Sequence, residues 1–113
     1  MLHKMNLNSE PFEMIRCGEK TIELRLYDEK RKMIRVGDGI IFTEVTTGET
    51  VSAEVIGLHI FDSFYELYRA LPLLKCGYTP ENVGSASHTD MREYYSEGEE
   101  KKYGVIGIEL RLV

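Results

Sequence analysis

The chain has 113 residues and a mass of 13.0 kDa, with 42% hydrophobic and 29% charged residues. That is the size of one domain, read as 1–113, and too short for two independent cores. Its net charge of -5 and pI of about 5.2 argue against a protein that coats duplex nucleic acid, and no apolar run approaches the ~20 residues needed to span a bilayer.

Residues 2–7 alternate loosely and predict a short strand. Asn8-Ser9-Glu10-Pro11 is a helix start, with a capping side chain and Pro tolerated in the first turn; Phe12 and Ile15 mark the buried face, and Gly18 supplies the left-handed stop, so 9–17 is a short helix. Residues 20–27 predict a strand with Ile22, Leu24 and Leu26 on one face and Thr21, Glu23, Arg25 and Tyr27 on the other, half-buried and polar on its second side. Asp28 to Lys32 is a charged turn and Arg35 to Asp38 another. Residues 39–45 and 50–60 are strands joined by the Thr46-Thr47-Gly48-Glu49 hairpin loop.

Asp62 or Ser63 caps a second helix, Ser63-x-x-Glu66 fitting a capping box; the helix carries Phe64, Leu67, Tyr68 and Leu71 and is ended by Pro72. Residues 73–86 lack periodicity. Ser87-x-x-Asp90 starts a third helix bearing Met91, Tyr94 and Tyr95; 97–102 reads as a charged loop, and 103–113 as a closing strand with Ile106, Ile108, Leu110 and Leu112 on one face. Helices and strands do not alternate regularly, which argues against a doubly wound parallel sheet. The expected fold is α+β: a small barrel of mostly antiparallel strands with flanking helices.

Cys17 and Cys76 make neither a disulfide framework nor a zinc site. No signal core follows the first residues, so the expectation is a cytoplasmic protein with reduced thiols. No metal, cofactor or membrane is expected. His3, His59 and His88 lack metal-ligand spacing. Ser87, His88 and Asp90 are adjacent on one segment, where a catalytic triad needs them converging from separate elements, so helix capping accounts for them. Residues 1–35 hold eight Lys/Arg against six Asp/Glu, the remainder six against thirteen. A local basic surface and a solvated turn at Lys30–Lys32 are both open on that pattern.

The distinctive stretch is Gly18-Glu19-Lys20-Thr21-Ile22-Glu23-Leu24-Arg25. Strand parity puts Glu23 and Arg25 on one face but sends Lys20 to the core side, where an unpaired ammonium costs several kcal/mol. A break in regular pairing between Gly18 and Thr21 would turn Lys20 onto the face of Glu23 and Arg25 and make a mixed-charge pocket. Such a pocket can hold a phosphate or a base edge, or transfer a proton where burial shifts the Lys or Glu pKa; the alternative is a surface ion-pair ladder.

Pro11-Phe12-x-x-Ile15-x-x-Gly18-x-Lys20-Thr21-Ile22-Glu23-x-Arg25, followed by Gly37-Asp38-x-Ile40-x-Phe42, Phe64-x-x-Leu67-Tyr68 and Tyr103-Gly104-Val105-Ile106-Gly107-Ile108, resembles the ASCH domain, a branch of the PUA-like superfamily. The resemblance spans nearly the whole chain. It implies a PUA-like β-barrel with a cleft lined by the motif, and binding of RNA or a modified nucleoside. The candidate binding residues are Lys20, Glu23, Arg25, Tyr27, Lys30 and Arg31. One branch of the family hydrolyses N4-acetylcytidine with a Lys, a Thr and a later Glu. Lys20 matches that Lys, Glu23 stands where the Thr falls, and Glu81 is the nearest counterpart of the Glu. The resemblance therefore keeps, as the alternative, a small amidohydrolase of N4-acetylcytidine-like nucleosides or an RNA-cleaving hydrolase, with Lys20 and Glu23 catalytic.

Overall fold

A computed structural model describes residues 1–113. β1 (Leu2–Leu7) buries His3, Met5 and Leu7 and exposes the residues between them. α1 (Ser9–Arg16) turns Phe12, Met14 and Ile15 inward and stops at Gly18, whose φ of +87° is the left-handed value that ends a helix. β2 (Ile22–Leu26) is shorter than the predicted 20–27. β3 (Gly39–Glu44) and β4 (Thr50–Phe61) form the expected hairpin, closed by Glu44: its carboxylate accepts from the Thr46 and Thr47 backbone N–H groups at 2.8 and 3.1 Å. α2 (Phe64–Ala70) begins at Ser63, which accepts from the Glu66 N–H.

Two predictions fail in the next segment. The third helix from Ser87 is a single six-residue 3-10 helix, His88–Glu93, with the expected Ser87/Asp90 capping box. The stretch read as a charged loop is a helix, α3 (Glu97–Tyr103), with its own Ser96/Glu99 capping box. Gly98 and the lack of any apolar residue before Tyr103 hide this helix from periodicity. The signal was the box, three carboxylates in the first turn and two lysines in the last, all favourable to the helix dipole.

β5 (Val105–Leu112) completes a five-stranded sheet in the order β1-β3-β4-β5-β2. Three pairings are antiparallel, and β1 runs parallel to β3. The sheet curls into a half-barrel, the α+β architecture expected. β5 is buried on both sides from Val105 to Ile108. Ile106, Ile108 and Leu110 join Phe12, Ile15, Ile40, Phe42 and Val55 in one core, while Val105 joins Ile22, Leu24, Leu26, Phe64, Leu67 and Met91 in a second. Leu112, predicted to continue the apolar face, is 42% exposed.

The register places the polar side of β2 in the molecule. Glu23 lies opposite Ile108 and Arg25 opposite Ile106, so both carry their side chains on the face of the first core. β2 is therefore not half-buried, as the alternation suggested: Glu23 is only 3% exposed. Both of its faces point inward, one to the second core and one into the half-barrel.

Candidate functional site

β1 and β2 are the two ends of the sheet, and the curl leaves a seam between them. A cleft of about 560 Å³ opens there, lined on one side by Asn6 and Leu7 of β1 and on the other by Glu23, Leu24 and Arg25 of β2.

Lys20 reaches this site through irregular backbone. Its N–H donates to the Met14 carbonyl at 2.9 Å, and the next N–H, of Thr21, donates to the Lys75 carbonyl at 2.9 Å. Regular pairing starts only at Ile22, which frees Lys20 from strand parity. Its ammonium stands 2.7 Å from Glu23 Oε1. Gly77, at φ +111°, lies over the Lys20 stem: a Cβ there would sit 3.5 Å from Lys20 Cδ.

Arg25 takes the other oxygen. Its Nε donates to Glu23 Oε2 at 2.7 Å, and its Nη2 crosses the seam to the Asn6 carbonyl at 2.9 Å. One guanidinium fork thus ties β2 to β1 where no backbone ladder does. Burial alone would raise the Glu23 carboxyl; Lys20 and Arg25 outweigh it and hold the group below the usual carboxylate range.

The facing wall comes from the segment after α2. Tyr78 donates its hydroxyl to Asp90 Oδ2 at 2.7 Å and lies 2.7 Å from the Tyr68 hydroxyl. Tyr78 spends its one proton on the carboxylate, so Tyr68 donates to Tyr78 and keeps lone pairs of its own free. Burial raises the Tyr68 and Tyr78 phenols, and the Tyr78 bond holds Asp90 low, so the chain stays in this protonation state at neutral pH. Burial likewise pushes the Cys76 thiol up to about 11, only partly offset by Lys20, so it lines the cleft as a neutral group.

Tyr94 is 57% exposed, whereas Tyr95 stacks on Phe64 with ring centroids 6.0 Å apart. Burial first, then the carboxylates of Glu93, Glu10 and Glu23, raise the Tyr94 phenol, and Glu10 and Glu93 are exposed residues of the same cleft lining. The lining holds two cations, Lys20 and Arg25, against four carboxylates, Glu10, Glu23, Asp90 and Glu93.

The structure brings Lys20, Glu23 and Arg25 together and leaves Tyr27, Lys30 and Arg31 outside the cleft lining. Tyr27 packs on the first core, with the Lys32 ammonium 5.7 Å from its ring centre. Arg31 pairs with Asp28 at 3.0 Å, and Lys30 is exposed. Glu81 is also exposed and outside the lining. Of the basic residues in the first 35, Arg16, Arg31 and Lys32 pair with the neighbouring acids Glu13, Asp28 and Glu29, and Lys20 and Arg25 share Glu23. Tyr68, Tyr78, Asp90, Glu10 and Glu93 were missed as site residues, because they come from segments whose meeting no local pattern announces.

No group of three or more His, Cys, Asp or Glu stands where it could hold a metal ion, and no helix is long and apolar enough to cross a membrane.

The crystal structure of hypothetical protein PH0355 is 36% identical to this chain, covers 100% of both chains and superposes with a TM-score of 0.82. The solution structure of PF0455 from Pyrococcus furiosus is 35% identical, with 100% of this chain and 98% of that one covered and a TM-score of 0.73. The ASCH protein of Zymomonas mobilis is 14% identical over 96% of this chain and 65% of that one, with a TM-score of 0.66, a likeness of fold alone. Among curated proteins no relative matches. The family model described as the ASCH domain matches residues 5–113, which takes in the end of β1, the Lys20–Arg25 motif, all three α-helices and β2 to β5. On that match the chain belongs to the ASCH domain family.

Proposed function

We propose that the cleft binds a single nucleobase, presented as a modified or unmodified nucleoside. The observation that carries this reading is the Lys20–Glu23–Arg25 cluster set in a cleft of about 560 Å³ whose other walls include Tyr68, Tyr78 and Tyr94. The volume suits a nucleoside-sized ligand, aromatic rings supply stacking surface, and convergent polar groups fix orientation. The charge balance favours a nucleoside over an RNA strand. Both cations already serve Glu23, and the lining adds Glu10 and Glu93, so a phosphodiester backbone finds no free cation in the cleft.

The hydrolytic alternative draws on the same Lys20–Glu23 contact. A carboxylate with both oxygens on cations and a lowered pKa is a weak base for activating water, which favours binding over catalysis.

Calorimetric titration with cytidine, uridine, adenosine, guanosine and N4-acetylcytidine, beside short single-stranded RNA, tests the reading. We expect saturable nucleoside binding that is flat between 50 and about 300 mM salt, since binding without phosphate contacts releases no counterions. RNA binding that falls steeply with salt, with no nucleoside bound, would replace this reading with the strand-binding one. Release of cytidine from N4-acetylcytidine that is lost in Lys20→Ala would replace it with the hydrolase.

A further inference from the structure

The free edge of β2 carries a recognition element that no side chain supplies. Thr21 accepts from the Leu110 N–H at 2.8 Å, and Tyr27 donates to the Gly104 carbonyl at 3.0 Å. These bonds mark Glu23 and Arg25, flanked by the Thr21 carbonyl and the Tyr27 N–H, as the residues whose backbone faces β5, because hydrogen-bonded pairs recur every second residue in an antiparallel ladder. The N–H and C=O groups of Ile22, Leu24 and Leu26 therefore point away from β5. β2 is the last strand on its side, and no other segment sends a hydrogen bond to these three residues.

Of the three, only Leu24 lines the cleft. Its side chain is in the second core and 8% exposed, so the residue is anchored. An anchored strand thus offers the cleft one backbone donor and one acceptor, side by side and unpaired within the chain. Buried backbone groups are almost always paired, so a pair left open beside a cleft marks where a ligand or solvent completes the ladder.

Resting on the nucleoside reading, we infer that the Leu24 backbone N–H and C=O hydrogen-bond the edge of the bound base. The complementary ligand is a planar heterocycle with an acceptor and a donor on adjacent atoms, as each common nucleobase has on its pairing edge. A peptide strand added to this edge would need a row of such groups, and Ile22 and Leu26 do not open into the cleft. The edge fixes the plane of the base and leaves identity to side chains such as Tyr68 and Asp90, whose oxygens are acceptors.

Amide exchange of the intact chain, measured residue by residue by NMR with and without saturating nucleoside, tests the contact. The Leu24 amide should slow at least tenfold on binding, while the Glu23 and Arg25 amides, already bonded to β5, change little. Matched ligands give the second readout: uridine should bind about tenfold more tightly than N3-methyluridine, and adenosine than purine riboside, each second ligand lacking the edge donor. A nucleoside that binds while Leu24 exchange and these ratios stay unchanged overturns the inference and leaves the nucleoside reading intact. No binding by any nucleoside overturns both.

Discussion

Glu23 holds two cations in place from a position that is itself 3% exposed, so its removal leaves more behind than a missing contact. The Lys20 and Arg25 side chains are 11% and 15% exposed. Glu23→Gln keeps the shape and strands both charges; the expected loss is about 3–5 kcal/mol of unfolding free energy at neutral pH, measured by urea denaturation. The pH dependence has a definite sign. The folded carboxyl lies below its ordinary value of 4.5, so its stabilisation is fully present above that pH and fades as pH falls through the folded value. The gap between the parent chain and Glu23→Gln should be widest at neutral pH and close progressively in acid. A gap that does not change with pH would show that Glu23 contributes through packing rather than charge. The pairing of Glu23 with Arg25 could be read from two-residue spacing. That of Lys20 required the argument that an ammonium does not stay on a core face, and the Met14 and Lys75 carbonyls that bend the chain there carry no local signature.

At the level of elements, α3 shows how a helix that periodicity misses is held. Glu100 is 5% exposed; its Oε2 accepts the Phe64 backbone N–H at 2.9 Å, and its Oε1 receives Arg92 Nη1 at 2.7 Å. One carboxylate thus serves a first-turn N–H of α2, pins α3 beside it and holds the 3-10 helix that brings Asp90 to the cleft wall. Glu100→Ala leaves the Phe64 N–H without its acceptor and should cost about 2–3 kcal/mol. Glu100→Gln keeps an acceptor for Phe64 and should recover part of that loss, a ranking that thermal unfolding of the three proteins reads directly. Strands with clean alternation (β1, β3 and the first half of β4) were legible because each has one face in a core. α3 was not, because its buried residue is a glutamate. The Tyr68–Tyr78–Asp90 wall was illegible for a related reason: three polar residues from separate segments satisfy one another, which leaves no apolar period to read.

Across the whole molecule, what the strand order could not announce is the parallel β1–β3 pairing and the seam it leaves against β2. The only hydrogen bond from a β2 side chain to β1 backbone is the Arg25 Nη2 to Asn6 carbonyl contact. An unpaired edge is ordinarily a liability, and here the guanidinium blunts it while keeping the cleft open beside it. Arg25→Lys separates the two tasks. A lysine retains a positive charge for Glu23, but its single ammonium lacks the rigid fork that serves a carboxylate and a carbonyl in different directions. The global unfolding free energy should then drop by only about 1 kcal/mol, in line with the loss of one hydrogen bond. Opening at the seam should respond more strongly: amides of β1 near Asn6 should exchange faster, while those pairing β2 with β5 keep their protection, because local opening follows local contacts. Arg25→Ala, which also deprives Glu23 of a cation, should lower global stability as well and raise exchange on both sides of the seam. If Arg25→Lys leaves β1 exchange unchanged, the seam is held by packing of α1 and the first core alone, and the fork matters only to Glu23.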